Sequence, residues 1–260
     1  MQCWKLVSLL LVLALAHPSP AQQSEADLCE PVTVETRSVA DSRVERVLGD
    51  PATIEFESGM AIDADGALRA YHPGDDGLDR LVHAGTPGNW WALATDDATP
   101  GGTPLVQGED DAAPGYHVST TSLYDSSRAY ADPSRYVDSE GVPYVALPAP
   151  FIEALGCRLG DLAWVERTPI DGTVHRSAAI FADVAPPAAP LGEGSIALAH
   201  RLGVPPDPRA GGTFRVSVKY VLFCGIGTPT WPRALADIEV EAARLERARL
   251  AREARSCPRR

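Results

Sequence analysis

Residues 214–224 read Phe-Arg-Val-Ser-Val-Lys-Tyr-Val-Leu-Phe-Cys, the clearest strand pattern in the chain. Apolar side chains recur at every second position on one face: Val216, Val218, Tyr220 and Leu222. Alternation with a period of two predicts a strand that buries one face, and β-branched and aromatic residues favour that conformation. We therefore expect a fold built on a sheet.

Weaker strand patterns precede this segment along the chain. They predict strands at 89–95, 116–122, 142–147, 162–166 and 175–184. The stretch Pro169-Ile170-Asp171-Gly172 predicts the turn between the last two strands. With 22 Gly and 23 Pro among 260 residues, the chain has too many turn formers for a helical bundle.

Two segments have helical patterns. Residues 192–201 are predicted to form a helix with Glu193 in its first turn, where a carboxylate suits the helix dipole. Residues 232–254 are predicted to form the second helix, with an apolar stripe of Leu235, Ile238, Ala242 and Leu245. The chain is thus predicted to be a single β-rich α+β domain with a few surface helices, one of them C-terminal.

The N-terminus has the pattern of a secretory signal peptide over residues 1–21. Lys5 precedes an apolar run at 6–16, and Ser19-Pro20-Ala21 offers small residues for cleavage. The alternative is an N-terminal anchor, although the run is short for a membrane span. We expect a secreted, extracellular protein without membrane contact after cleavage. It would comprise a lead-in at 22–50, a main domain at 51–231 and a C-terminal helix and tail at 232–260.

Four cysteines remain after that cleavage: Cys29, Cys157, Cys224 and Cys257. An even number in an exported chain predicts two disulfides, and four cysteines allow three pairings. The pairing of Cys157 with Cys224 and of the two terminal cysteines is preferred, because the first two flank the most structured half. No CxxC or CxxH spacing indicates a zinc site.

The charge balance bears on the class of partner. Residues 22–231 carry 30 acidic and 14 basic residues, a balance of -16. Such a chain is poorly suited to nucleic-acid phosphates and better suited to a cationic partner.

Motifs of well-known enzyme and metal sites are absent from the sequence. It contains no GxSxG, HExxH, P-loop or GxGxxG motif, and its six histidines lack metal-binding spacing. Asp63-Ala64-Asp65-Gly66 predicts a tight turn rather than a calcium loop, because a third acidic position and a closing Glu are missing. We therefore expect neither a metal nor a cofactor.

Two carboxylates have a placement that suits general acid–base chemistry. Asp183 follows the apolar run 178–182, and Glu193 follows a loop stiffened by Pro186, Pro187 and Pro190. Glycoside hydrolysis uses such a pair, one protonated and one ionised. Burial at a strand end predicts that Asp183 keeps its proton as the acid, and a helix start predicts that Glu193 is the base.

Several motifs in order resemble the secreted chitosanases of glycoside hydrolase family 75. They are Gly-Met-Ala-Ile-Asp-Ala-Asp-Gly at 59–66, Arg-Ala-Tyr-His-Pro at 69–73, and the segments at 114–123, 135–144, 180–186 and 192–199. By this resemblance Asp183 and Glu193 match the family's two catalytic carboxylates. The resemblance implies endo-hydrolysis of β-1,4-glucosaminide links in chitosan, with inversion. Ala185 stands where the family often has Gly.

Other expectations accompany this resemblance. By analogy with other inverting polysaccharide hydrolases, the β core is expected to be a six-stranded barrel, and the protein to be a monomer. Aromatic candidates for stacking on sugars are Trp90, Trp91, Tyr71, Tyr116, Tyr136 and Tyr144. The candidate substrate-binding residues are Asp63, Asp65, Tyr71, Asp96, Ser119, Thr120, Asp138 and Glu140.

Two alternative functions stay open. One is a hydrolase of another amino-sugar polymer, such as chitin or the glycan strands of peptidoglycan. The other is a catalytically inactive protein that binds polysaccharide or acts at a cell surface.

Overall fold

The computed structural model of the chain describes residues 33–39, 42–48 and 52–256. Its strands are β1 (Val34–Val39), β2 (Ser42–Val47), β3 (Thr53–Asp63), β4 (Gly85–Thr86), β5 (Asn89–Trp90), β6 (Tyr144–Pro148), β7 (Leu162–Arg167), β8 (His175–Ala185), β9 (Glu193–Ser195) and β10 (Thr213–Phe223). Its α-helices are α1 (Ala149–Leu155), α2 (Ile196–Leu202) and α3 (Leu235–Arg255). Short 3₁₀ turns cover Leu81–Ala84 and Pro133–Arg135.

Six strands close into a barrel in the order β3, β10, β7, β8, β6 and β9, and β9 pairs back with β3. The pairs β6–β8 and β3–β9 are parallel, whereas the other four are antiparallel. Closure leaves no unpaired edge in the ring. The expected β-rich α+β domain with a six-stranded barrel is confirmed.

The barrel strands bury both of their faces. On β10, Tyr220 lies in one apolar cluster and stacks on Phe56 of β3, with ring centroids 4.7 Å apart. Val221 and Phe223 point the other way and pack beneath α3. The predicted apolar face is wrong at Val216, which is 68% exposed, because an irregularity between Thr213 and Val218 shifts the register with β3.

The C-terminal helix α3 packs on the outside of the barrel through the predicted stripe. Ile238, Ala242 and Leu245 are buried, and Leu235 is partly buried against the same cluster. A disulfide joins Cys157, after α1, to Cys224, at the end of β10. This bridge confirms one of the two preferred cysteine pairs.

Three predictions of local structure are wrong. The segment predicted as a strand at 89–95 forms a two-residue strand at Asn89–Trp90 and isolated bridges at Leu93 and Thr95. The segment at 116–122 forms only isolated bridges, at His117 and Ser119. In the latter segment the N–H groups of Val118 and Thr120 donate to the carbonyls of Leu105 and Ala92 in other loops instead of to one partner strand. The helix predicted from residue 192 begins at Ile196.

The hairpin of β1 and β2 extends the sheet from β3, in a region predicted only as a polar lead-in. The predicted signal peptide, Cys29 and Cys257 lie outside the described residues. Within the described ranges, no helix combines the length and the apolar character that a membrane span requires.

Candidate active site

A cleft of about 1450 Å³ opens over the ends of β3, β8 and β9. Six of the ten residues predicted for the site line it: Asp63, Asp65, Tyr71, Thr120, Asp183 and Glu193. The ends of neighbouring strands thus bring together residues that are up to 130 positions apart in the sequence.

A bulge in β8 and a neighbouring loop position Asp183. Val145 of β6 pairs with Phe181, but the next residue, Ala146, pairs with Asp183, so Ala182 is an extra residue. The carbonyl of Ala182 accepts the N–H of Leu123 at 2.8 Å. Bulges of this kind re-aim side chains, and here Asp183 lines the cleft.

Ser122 holds the Asp183 carboxylate in place. Its backbone N–H and its hydroxyl both donate to Asp183 Oδ1, at 2.8 Å and 2.7 Å. Such hydrogen bonds stabilise the ionised form of a carboxyl group. The charged state of Asp183 is thus supported although its side chain is buried.

Glu193 lies in a strand, which overturns the prediction that it opens a helix. It is the first residue of β9, a three-residue strand between β6 and β3. The helix cap is Ser195, whose hydroxyl accepts the N–H of Leu198 at 3.1 Å. The predicted stabilisation of the Glu193 anion by a helix dipole therefore has no structural basis.

Asp183 and Glu193 flank the same residue of β6. Ala146 pairs with Asp183 on one side and with Glu193 on the other. Because adjacent strands lie about 4.8 Å apart, the two backbones are separated by roughly 10 Å. Carboxyl groups of inverting glycosidases stand about 6.5–9.5 Å apart, a spacing that side chains on such backbones can reach.

The tight turn predicted at 63–66 is confirmed and brings two further carboxyls into the cleft. The N–H of Asp65 donates to Asp63 Oδ1 at 2.8 Å, and the N–H of Gly66 donates to Ser119 Oγ at 3.0 Å. Gly66 has a φ of 79°, and a Cβ there would lie 2.0 Å from the carbonyl oxygen of Val137. A side chain at this position would clash with the Val137 carbonyl, so the turn requires glycine at position 66.

Burial raises the pKa of all four carboxyls, and repulsion between neighbouring acids adds to this for Asp63, Asp65 and Glu193. Burial and the charge of Asp183 raise the pKa of Glu193 to about 7. Burial and the neighbouring acids raise the pKa of Asp63 and of Asp65 well above the usual range. Burial also raises the pKa of Asp183, but the hydrogen bonds from Ser122 oppose that effect. Asp183 is therefore the group best placed to ionise.

The oxygens of Asp63, Asp65 and Asp183 lie within 4.8 Å of one another, close enough to share one cation. Each carboxyl already accepts a hydrogen bond from protein: Asp63 from the N–H of Asp65, Asp65 from the Tyr71 hydroxyl at 2.6 Å, and Asp183 from Ser122. Each carboxyl of the cluster is therefore oriented by a protein donor.

Four predicted site residues do not line this cleft. Asp96 accepts the N–H of Thr103 at 2.8 Å in a surface turn, and Glu140 is exposed. Asp138 accepts the N–H of Glu140 at 3.0 Å and borders a separate cavity of about 330 Å³. Ser119 is buried beneath the cleft, where it supports the turn at Gly66.

Sequence reasoning missed several residues that line the cleft. Ser122 lies within the predicted strand 116–122 and the resembling segment 114–123, but neither pattern marks it as a site residue. The Asp79 carboxylate pairs with His83 Nδ1 at 2.8 Å, and Arg209 donates to the carbonyls of Asp75, Gly77 and Asp79. The spacing of Asp79 and His83, four residues apart, is the only signal among these in the sequence.

The aromatic candidates divide by exposure. Trp91 is half exposed in the cleft, and its Nε1–H donates to the His83 carbonyl at 3.0 Å, so its ring is held in place. Trp90, Tyr71 and Tyr136 also line the cleft but are buried. Tyr116 and Tyr144 do not line it. Phe214, fully exposed at its edge, was not predicted.

Neither a scan against protein-family models nor a search of curated proteins gives a match for this chain.

Proposed function

We propose that this chain is a secreted, monomeric, endo-acting glycoside hydrolase that cleaves β-1,4-glucosaminide links in chitosan with inversion and without a cofactor. The observation that carries the proposal is the placement of Asp183 and Glu193 on the two strands that flank Ala146, in one cleft. The resemblance to family 75 chitosanases supports the same two residues.

The proposed roles are the reverse of those predicted from the sequence. Glu193 has a pKa of about 7 because of burial and the charge of Asp183, so it holds a proton at mildly acidic pH and is the general acid. Asp183, with two hydrogen bonds from Ser122, is the general base. Two carboxyls whose environments separate their pKa values suit this division of labour.

The reaction then proceeds in one displacement. Asp183 takes a proton from a water molecule as the water oxygen bonds to the anomeric carbon. The bond from that carbon to the glycosidic oxygen breaks, and Glu193 gives its proton to the leaving oxygen. Exchange with solvent returns the proton from Asp183 to bulk and reprotonates Glu193.

The charge of the chain supports a cationic substrate. Residues 22–231 carry 30 acidic and 14 basic residues, a balance of -16. Chitosan carries protonated amines, which such an acidic protein attracts. Trp91 offers a fixed aromatic face for a sugar ring.

A comparison of polymers tests this proposal. Release of reducing ends is measured on highly deacetylated chitosan, chitin and peptidoglycan, with Asp183→Asn as the inactive control. We expect cleavage of chitosan to oligomers and a rate that falls with added salt, because screening weakens attraction beyond about 8–10 Å.

Preference for chitin or peptidoglycan would overturn the substrate assignment. Binding of chitosan without hydrolysis would overturn the enzyme assignment and favour a polysaccharide-binding protein.

A further inference from the structure

Asp65 is a partly buried carboxyl that the two-carboxylate mechanism does not use. Oxygens of Asp65, Asp63 and Asp183 lie within 4.8 Å of one another. Two carboxylate anions this close repel each other and can only accept hydrogen bonds, so Asp65 and Asp183 are compatible neighbours when one of them holds a proton. The question is which of the two carries it.

The donors around the pair favour a proton on Asp65. Asp183 Oδ1 accepts two hydrogen bonds from Ser122, which suit an anion. Among the described residues, the Asp65 side chain accepts one hydrogen bond, from the Tyr71 hydroxyl to Oδ1 at 2.6 Å, so its other oxygen can carry a proton toward Asp183.

The remaining neighbours of Asp65 are also acids. The titratable groups that face it are Asp63 on the adjoining strand end, Asp183 on β8, Glu193 on β9, Tyr71, and Tyr144 on β6. The Tyr144 hydroxyl donates to the backbone carbonyl of Asp65 at 2.9 Å and not to its carboxyl. A second anion beside Asp183 would be repelled by these groups, whereas a neutral Asp65 is not.

We propose, on the basis of the function proposed above, that Asp65 carries the shared proton and acts as a positioning residue that holds Asp183 ionised and aimed at the attacking water. Asp65 keeps this proton throughout the reaction, and only Asp183 receives the proton of the water. The Tyr71 hydroxyl fixes the orientation of Asp65 in turn.

Two substitutions separate this role from its alternatives. Asp65→Asn keeps a donor toward Asp183 and cannot ionise, so we expect kcat within about 10-fold of the wild type and an unchanged acidic limb of the pH profile. Asp65→Leu removes the donor, so we expect kcat to fall about 100-fold, as for other positioning defects. Its acidic limb should move to higher pH, because Asp183 loses support for its charge.

Asp96→Asn, outside the cleft, is the matched control. An Asp65→Asn variant as inactive as Asp183→Asn would overturn the proposal, because Asp65 would then have to ionise. Wild-type activity and pH profile in a folded Asp65→Leu variant would also overturn it. If Asp65→Leu does not fold, the activity of Asp65→Asn alone tests the proposal.

A spectroscopic measurement does not depend on substrate. The carboxyl carbons of the aspartates are labelled with ¹³C, and the Asp65 signal is identified by its loss in Asp65→Asn. The chemical shift of this signal should show that the Asp65 carboxyl is still protonated at pH 6. If that signal titrates near pH 4, the proposal fails even if chitosan is cleaved. If it stays protonated and no polymer is hydrolysed, the proposed function fails but the shared proton stands.

Discussion

Asp183→Asn and Glu193→Gln are each expected to lower kcat on glucosamine oligomers by about 10²–10⁴, the usual contribution of one proton-transfer group. Both substitutions keep the shape of the side chain and remove its ability to exchange a proton. The measurement is the initial rate of reducing-end release, with circular dichroism to show that each variant is folded. Asp96→Asn and Glu140→Gln are matched controls, because both residues lie outside the cleft, and they should retain wild-type rates.

Azide separates the two roles. In Asp183→Ala, azide fits where the base and water act, bonds to the anomeric carbon and gives an α-glycosyl azide, while Glu193 still protonates the leaving oxygen. Glu193→Ala should give no azide adduct. If azide restores activity to Glu193→Ala instead, Glu193 is the base and Asp183 is the acid. Near-normal turnover by Asp183→Asn or Glu193→Gln would show that other residues carry out the catalysis.

Glu193→Gln is also expected to stabilise the fold at alkaline pH. The pKa of Glu193 rises from 4.5 to about 7 on folding, through burial and the charge of Asp183. The native state therefore binds more protons than the unfolded state between these values, and the free energy of unfolding falls as pH rises through that window. At pH 8 the accumulated loss is at most about 3 kcal/mol, and glutamine removes it.

Urea unfolding at pH 4 and pH 8 measures this effect. The stability gain of Glu193→Gln over wild type should be present at pH 8 and absent at pH 4, and Glu140→Gln should show none at either pH. An equal gain at both pH values would show that the effect is not the titration of Glu193. A loss at pH 8 would mean that the ionised carboxylate is stabilised in the fold.

The core strands were predictable because their side chains repeat with a period of two. Strands near 142–147, 162–166, 175–184 and 214–224 all appear in the structure within a few residues. Closure of the barrel was expected only by analogy. It depends on β9, which is three residues long and pairs with β3 across more than 130 positions, and no local pattern encodes such a pairing.

The error at Glu193 has a simple physical origin. An acidic residue ahead of an apolar run is typical of a first helical turn. In the structure the cap is Ser195, a preferred residue type for that position, and the helix begins at Ile196 instead of at residue 192. Glu193 therefore lies on a barrel strand, without the helix dipole on which its predicted role as the base depended.

The chemistry-bearing aspartates were easier to find than their supports. Asp63 and Asp65 stand in a recognisable turn, and Asp183 ends an apolar run. Ser122 lies in a loop and donates hydrogen bonds from its backbone N–H and its hydroxyl to Asp183. This contact forms only because the fold brings β8 next to that loop. A sequence pattern contains no information about such a contact.

The anomeric configuration of the first product tests the central claim most directly. Proton NMR of a glucosamine hexamer during the first minutes of hydrolysis resolves the new reducing ends before they mutarotate, with Asp183→Asn in parallel. Two carboxyls on strands either side of β6 leave room for a water between base and sugar, so the account predicts the α-anomer. Initial formation of the β-anomer, or equal hydrolysis by the variant, would contradict it.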